Sequence, residues 1–204
     1  MKIVREDVVT KALALLDEVG IEGLTMRKLA EALKVQAPSL YWHFPKKIAL
    51  LEAMADALLE PVGRGLPEAQ PWEERLRVIA GDLRRALLSR RDASRVFAGT
   101  YVPNENTLRV GSLIHECLVA AGLDDRRASW GVFTFSHFVT GFAIEEEALR
   151  QIDAETMEKS RSQARHLLVK YPLAAIALTE ITVGNADERF AMGLQVNIYG
   201  FKAL

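Results

Sequence analysis

Within eight residues the chain sets Gln36, Ala37, Pro38, Ser39, Tyr41, Trp42 and His43, with Lys34 before them and Lys46 and Lys47 after. Hydroxyl, amide and ring N–H groups at this density suit hydrogen bonds to phosphates and base edges, and Ala37 suits contact with a thymine methyl. As ordinary core aromatics Tyr41 and Trp42 would serve packing equally well; Leu40 is assigned to the core. Lys46 and Lys47 stand at a helix start, where free backbone N–H groups and the helix dipole already favour an anion.

Patterns that do covalent chemistry are missing. His115-Glu116 is not a zinc-protease pair, because position 119 is valine. No glycine loop could cradle a phosphate, and no serine sits in a nucleophile elbow. Cys117 lies in an apolar helical stretch without a nearby base. As the single cysteine it excludes an intrachain disulfide and a cysteine-built zinc cage. Glu145-Glu146-Glu147 is read as a solvated helix end with only Glu145 turned inward. These observations lead us to expect no enzyme, no cofactor and no bound metal.

Charge is unevenly spread. Residues 1–50 hold eight Lys/Arg against six Asp/Glu, so the remainder carries −3 of a net −1. From Thr25 to Lys47 five basic residues face only Glu31. The N-terminus meets Glu6 and Asp7 too early for a signal peptide, and no apolar run approaches the roughly 18 residues of a membrane span. A reduced, cytoplasmic location is expected.

The elements that must position these residues are helices. Val8, Ala12, Leu15, Leu16 and Val19 recur on one helix face, and Gly20 is a cheap stop. Thr25 is a good N-cap for a second helix to about Leu33. Lys34-Val35-Gln36 forms a tight turn, and Pro38 opens a third helix ending near His43. A fourth helix covers about 46–59. Pro61, Gly63, Gly65 and Pro67 make 60–71 a connection. Further patterns cover about 72–88, 92–98, 105–121, 126–148, 160–182 with a break at Pro172, and 187–203. Gly122 is a stop and Asp187 an N-cap. No period-two alternation with hairpin turns appears, so the chain is expected to be all-α. We divide it into residues 1–50, a three-helix unit, and 51–204, a larger helical unit.

Two short helices joined by a short turn, with a basic balance, suggest a helix-turn-helix. The run Val19 to Ala30 and the run Pro38-Ser39-Leu40-Tyr41-Trp42-His43-Phe44-Pro45-Lys46-Lys47 resemble the DNA-binding domain of TetR-family repressors. Arg85 to Asp92, Ala98-Gly99-Thr100 and Ser136 to Phe142, with Glu145-Glu146, are similar in the same order to the ligand-binding domain of the tetracycline-repressor-like subgroup. The resemblance makes residues 1–50 a DNA-binding domain and 51–204 a ligand-binding and dimerisation domain. The resemblance implies a homodimer that binds palindromic double-stranded DNA and is released by a small molecule. It assigns DNA contacts to Arg27, Gln36, Ala37, Pro38, Ser39, Tyr41, Trp42, His43 and Lys47. It assigns the pocket to Ile79, Leu83, Phe97, Thr100, Tyr101, Trp130, Phe133, Thr134, His137 and Glu145. The helices about 126–148 and 187–203 would pair with their symmetry mates in a four-helix bundle, and Gly193 and Gly200 permit close approach.

Departures from the subgroup carry information. Ala37 stands where the subgroup has glutamine, and alanine cannot make the paired hydrogen bonds that read adenine, so the operator is expected to differ. Lys34 occupies a turn position where relatives often have glycine. Phe97 replaces a magnesium-binding histidine. Gly63 and Ile79 replace a histidine and an asparagine that hold the drug's polar edge, and Leu83 replaces a phenylalanine. Glu145 alone makes a poor divalent-ion site. The pocket is therefore expected to be metal-free and more apolar, with an inducer other than magnesium–tetracycline.

Overall fold

The computed structural model describes residues 4–66, 69–100, 103–181 and 183–204. Among these, all regular structure is helical. Helix α1 (Arg5–Gly23) buries Val8, Ala12, Leu15 and Leu16. Gly20, at φ 68°, breaks its phase and redirects the last turn. A side chain there would meet the Asp92 carboxylate at 2.9 Å, so both backbone and space require glycine. Helix α2 (Met26–Leu33) starts at Thr25, whose hydroxyl accepts the Lys28 N–H at 3.2 Å. It ends at Lys34 in the left-handed region, φ 57°, at a cost of about 1 kcal/mol for a non-glycine residue. Helix α3 (Ala37–Tyr41) has Pro38 in its first turn and is shorter than expected, ending before Trp42 and His43. Helix α4 (Lys47–Leu58) follows.

The rest comprises α5 (Trp72–Leu87), α6 (Ala93–Ala98), α7 (Glu105–Ala120), α8 (Asp125–Gln151), α9 (Ala154–Lys170), α10 (Pro172–Glu180) and α11 (Ala186–Lys202). Gly122, at φ 99°, follows α7, and the Leu123 N–H returns to the Leu118 carbonyl. Besides α3, two further boundaries differ from expectation. Helix α9 begins at 154 rather than 160, because Asp153 caps it by accepting the Thr156 N–H at 2.7 Å. Its first turns are too polar to show a periodic apolar face. Asn185, not Asp187, occupies the N-cap of α11; the Asp187 carboxylate instead meets Arg84 at 2.7 Å. Pro67 and Thr182, placed in the 60–71 connection and the 160–182 pattern, lie outside the described residues.

Two apolar cores form. The first joins α1 to α4 and takes in Ala93 and Val96 of α6. The second joins α5, α7, α8 and α11 with Leu59 and Val62. They divide between Leu58 and Leu59. Leu50, Met54, Ala55 and Leu58 thus pack into the N-terminal core, so α4 belongs to the small unit by its packing beyond residue 50. Each buried leucine contributes about 2 kcal/mol. Helices α9 and α10 pack on each other and have no buried residue among those described. No described helix is long and apolar enough to cross a membrane.

Candidate functional site

The N-terminal unit presents α3 outward. Leu40 is fully buried and fastens the helix, whereas Tyr41 is half exposed and Trp42 is 89% exposed. Neither aromatic is a core residue. Gln36 and Pro38 are exposed, and Ala37, Ser39 and His43 are half-buried. The Ser39 hydroxyl donates to the Gln36 carbonyl at 2.6 Å, and an Arg5 N–H donates to the His43 carbonyl at 3.0 Å. Arg5 also covers the Phe44 ring, 4.4 Å from its centroid. Arg27 projects from α2 and pairs with Glu31 at 3.0 Å. Lys47 donates to the Ile21 carbonyl at 3.1 Å, which ties the start of α4 to the end of α1. Tyr41, Trp42, Lys34 and Lys46 are all exposed.

A cavity of about 670 Å³ lies where α4 meets α5 to α8. Of the expected pocket residues, Leu83, Phe97, Thr100, Phe133 and His137 line it. Ile79 is fully buried in the second core instead. Trp130 and Thr134 lie on another face of α8; Arg126 stacks over the Trp130 ring at 4.6 Å, and the Thr134 hydroxyl bonds to the Trp130 carbonyl. Glu145 is exposed and lies 3.7 Å from Arg189. Tyr101 lies outside the described residues. The helix turns about 100° per residue, so 129, 132, 133, 136, 137 and 140 share the cavity face while 130, 134 and 145 do not. Residues the sequence did not single out also form the wall: Glu52 and Ala55 from α4, Leu59 just after it, and Asn104, Thr107 and Ile114 around α7. The spacing of Glu52, Ala55 and Leu59 at i, i+3 and i+7 was the available signal. Among the described residues no group of three His, Cys, Asp or Glu could hold a metal ion.

Residues 8–54 match the description "Bacterial regulatory proteins, tetR family", and residues 64–204 match "Tetracyclin repressor-like, C-terminal domain". Tetracycline repressor protein class G of Vibrio anguillarum is 37% identical over 210 residues, covering all of this chain and 95% of that protein. The chain belongs to the TetR family. Among solved structures of the family, a TetR variant from Acinetobacter baumannii AYE in complex with minocycline is 35% identical, with TM-score 0.76 and coverage of 99% and 98% of the two chains. BioQ with its double-stranded DNA operator is 27% identical, with TM-score 0.74 and full coverage of both.

In this TetR-family chain the head and the cavity unit are joined by polar clamps. Asp56 of α4 accepts the N–H groups of Asn106 and Thr107 at 2.9 and 3.0 Å, capping α7 from outside. Within the larger unit, Arg109 of α7 donates to the Leu59 and Val62 carbonyls at 2.9 and 2.7 Å and so fixes the segment that leaves α4. A second link runs through α6. The Glu147 carboxylate accepts from the Asp92 N–H at 2.5 Å and the Ser94 hydroxyl at 2.7 Å, and Asp92 in turn accepts the Ile21 N–H at 2.9 Å. Burial opposes ionisation of Asp92. The Ile21 N–H and then the Arg95 guanidinium overcome it and hold the carboxyl below its ordinary value.

The glutamate triplet thus reverses the expectation. Glu145 is solvated, while Glu146 is 2% exposed and Glu147 grips α6. Glu146 meets Arg84 through two bonds of 2.8 and 2.9 Å, and Arg84 lies over the Phe190 ring. The reason is helix phase: Glu146 lies seven residues after buried Val139 and three after buried Ala143.

Proposed function

We propose that this chain is a cytoplasmic, ligand-responsive transcriptional regulator rather than an enzyme. As a homodimer it represses from a palindromic operator and is released by a small apolar or amphipathic effector without bound metal. The observation that carries this reading is the sharing of α4 between two sites. It packs on α1 in the core that also holds Leu40 of α3, and its Glu52 and Ala55, with Leu59 just after it, form part of the cavity wall.

Arg27, Gln36, Ala37, Pro38, Ser39, Tyr41, Trp42 and His43 form the reading surface, flanked in sequence by Lys34 and Lys46, which have no ion-pair partner among the described residues. Lys47 acts mainly as a tie within the head, since its ammonium is engaged with Ile21. Leu83, Phe97, Thr100, Phe133 and His137 contact the effector. One short helix reads few bases, and two copies one DNA turn apart, about 34–36 Å, read enough. The outer faces of α8 and α11 leave Trp130, Met192, Val196 and Tyr199 exposed, and a second copy covers them. Effector binding favours a conformer whose spacing no longer matches DNA. Release by about 10⁴-fold requires roughly 5.5 kcal/mol of preference.

An electrophoretic shift with the DNA upstream of the protein's own gene tests the reading. A specific complex that weakens with salt is expected. A shift equal for unrelated DNA, or none, sinks it.

A further inference from the structure

The cavity wall has a charge census that selects its ligand. Glu52 is the one wall residue that is an Asp, Glu, Lys or Arg among those described. Among the described residues Glu52 has no ion-pair partner; its backbone carbonyl accepts from the Asn104 amide at 3.3 Å. Asp56, one turn further along α4, is consumed by the first turn of α7. That matters because the N-terminus of α7 borders the cavity through Asn104 and Thr107 and is the feature that would otherwise welcome an anion. Two of its N–H groups, those of Asn106 and Thr107, are already taken. The rest is aromatic and aliphatic, with Phe97 and Phe133 beside Leu83 and Ile114, scattered hydroxyls, and the imidazoles of His115 and His137; a His115 ring nitrogen lies 3.4 Å from the Asp125 carbonyl, and the His137 ring packs against Phe133. An anion in this space would face the Glu52 carboxylate with only imidazoles to offset it among the described wall residues, whereas a cation would gain that carboxylate and the neighbouring aromatic rings.

We propose that the effector is a lipophilic cation, a protonated amine on a flat aromatic body, and that Glu52 selects its charge. The inference rests on the reading of this cavity as the effector site. It also ties the ligand's charge to α4, so binding acts directly on the helix that carries the reading head.

Three probes of one shape test it: 9-(aminomethyl)anthracene, 9-(hydroxymethyl)anthracene and anthracene-9-carboxylate. Each is titrated by fluorescence into the full-length protein without DNA. The amine should bind at least tenfold tighter than the alcohol, and the carboxylate weakest. Glu52→Gln should erase the preference of amine over alcohol while leaving the alcohol's affinity within about twofold. Equal binding of amine and alcohol, tighter binding of the carboxylate, no binding of any probe, or a preference that survives Glu52→Gln each overturns the proposal. Phe133→Arg separates the two failures. If it abolishes alcohol binding while the charge preference is absent, only the charge assignment falls. If no probe responds to it, the cavity reading falls as well.

Discussion

At the scale of single residues, two side chains carry separable work. Tyr41 stands half exposed on α3, away from the cavity wall. Tyr41→Ala should cost about 1–3 kcal/mol of operator affinity. Binding of the anthracene alcohol should not change, and a parallel loss of both would show that Tyr41 instead holds the fold. Asp92 does a different task, because it joins α6 to the redirected end of α1 while adopting φ 56°. Asparagine tolerates that backbone and can still accept the Ile21 N–H, so Asp92→Asn removes mainly the charge. The expected loss is about 1 kcal/mol, or roughly 2–4 °C in Tm for a chain of this size. The Asp92 carboxyl titrates lower folded than unfolded. Its stabilisation is therefore complete above the unfolded value near pH 4 and is lost as pH falls through the lower folded value. Thermal melts at pH 7 should separate the variant from the parent, and melts in strong acid should bring them together.

Between elements, the Arg84–Glu146 pair fastens three helices. Glu146 from α8 meets Arg84 from α5, Arg84 reaches Asp187 of α11, and its guanidinium lies over Phe142 and Phe190. The Glu146 hydrogen bond is the main cause holding the Arg84 pKa above its usual value. Glu146→Ala would leave the guanidinium without its buried partner. It should cost about 3–5 kcal/mol in urea unfolding at fixed protomer concentration. A change below about 1 kcal/mol would mean Asp187 and water compensate. Close packing reinforces this junction: a Cβ on Gly193 of α11 would fall 2.5 Å from the Phe138 ring. Gly200 has nothing within 4 Å, so the two glycines that look equivalent in sequence differ in role. The first serves contact within the chain, and the second lies open on the outer surface.

Across the whole molecule, specificity depends on two heads held at one spacing. The outer faces of α8 and α11 supply the means, and exposed Leu173, Ile176 and Leu178 of α10 add further apolar surface. Val196 is exposed at the middle of α11, where a carboxylate would be desolvated in a dimer yet harmless in a monomer. Val196→Asp should move the protein from the mass of two copies to that of one in size-exclusion chromatography. Operator affinity should fall by about a hundredfold or more as the linked second head is lost. A dimer that persists, or a monomer with undiminished affinity, would place the interface elsewhere.

Local chemistry made much of this protein legible without coordinates. Thr25, Gly20, Pro38 and Gly122 mark helix ends by backbone preferences that act within a few residues. The periodicities placed most of the described helices within a few residues of their bounds, and α9 is the exception because its first turns are polar. What a helix turns toward was decided only by tertiary packing, because each step of one residue rotates a side chain by about 100°. That is why Trp130 and Thr134 lie on another face of α8, why Glu146 and Glu147 rather than Glu145 point inward, and why Ile79 is in a core. A cavity is less local still. Its wall at Glu52, Asn104, Thr107 and Ile114 exists only because α4 and α7 meet across some fifty residues of chain, held there by Asp56 and Arg109.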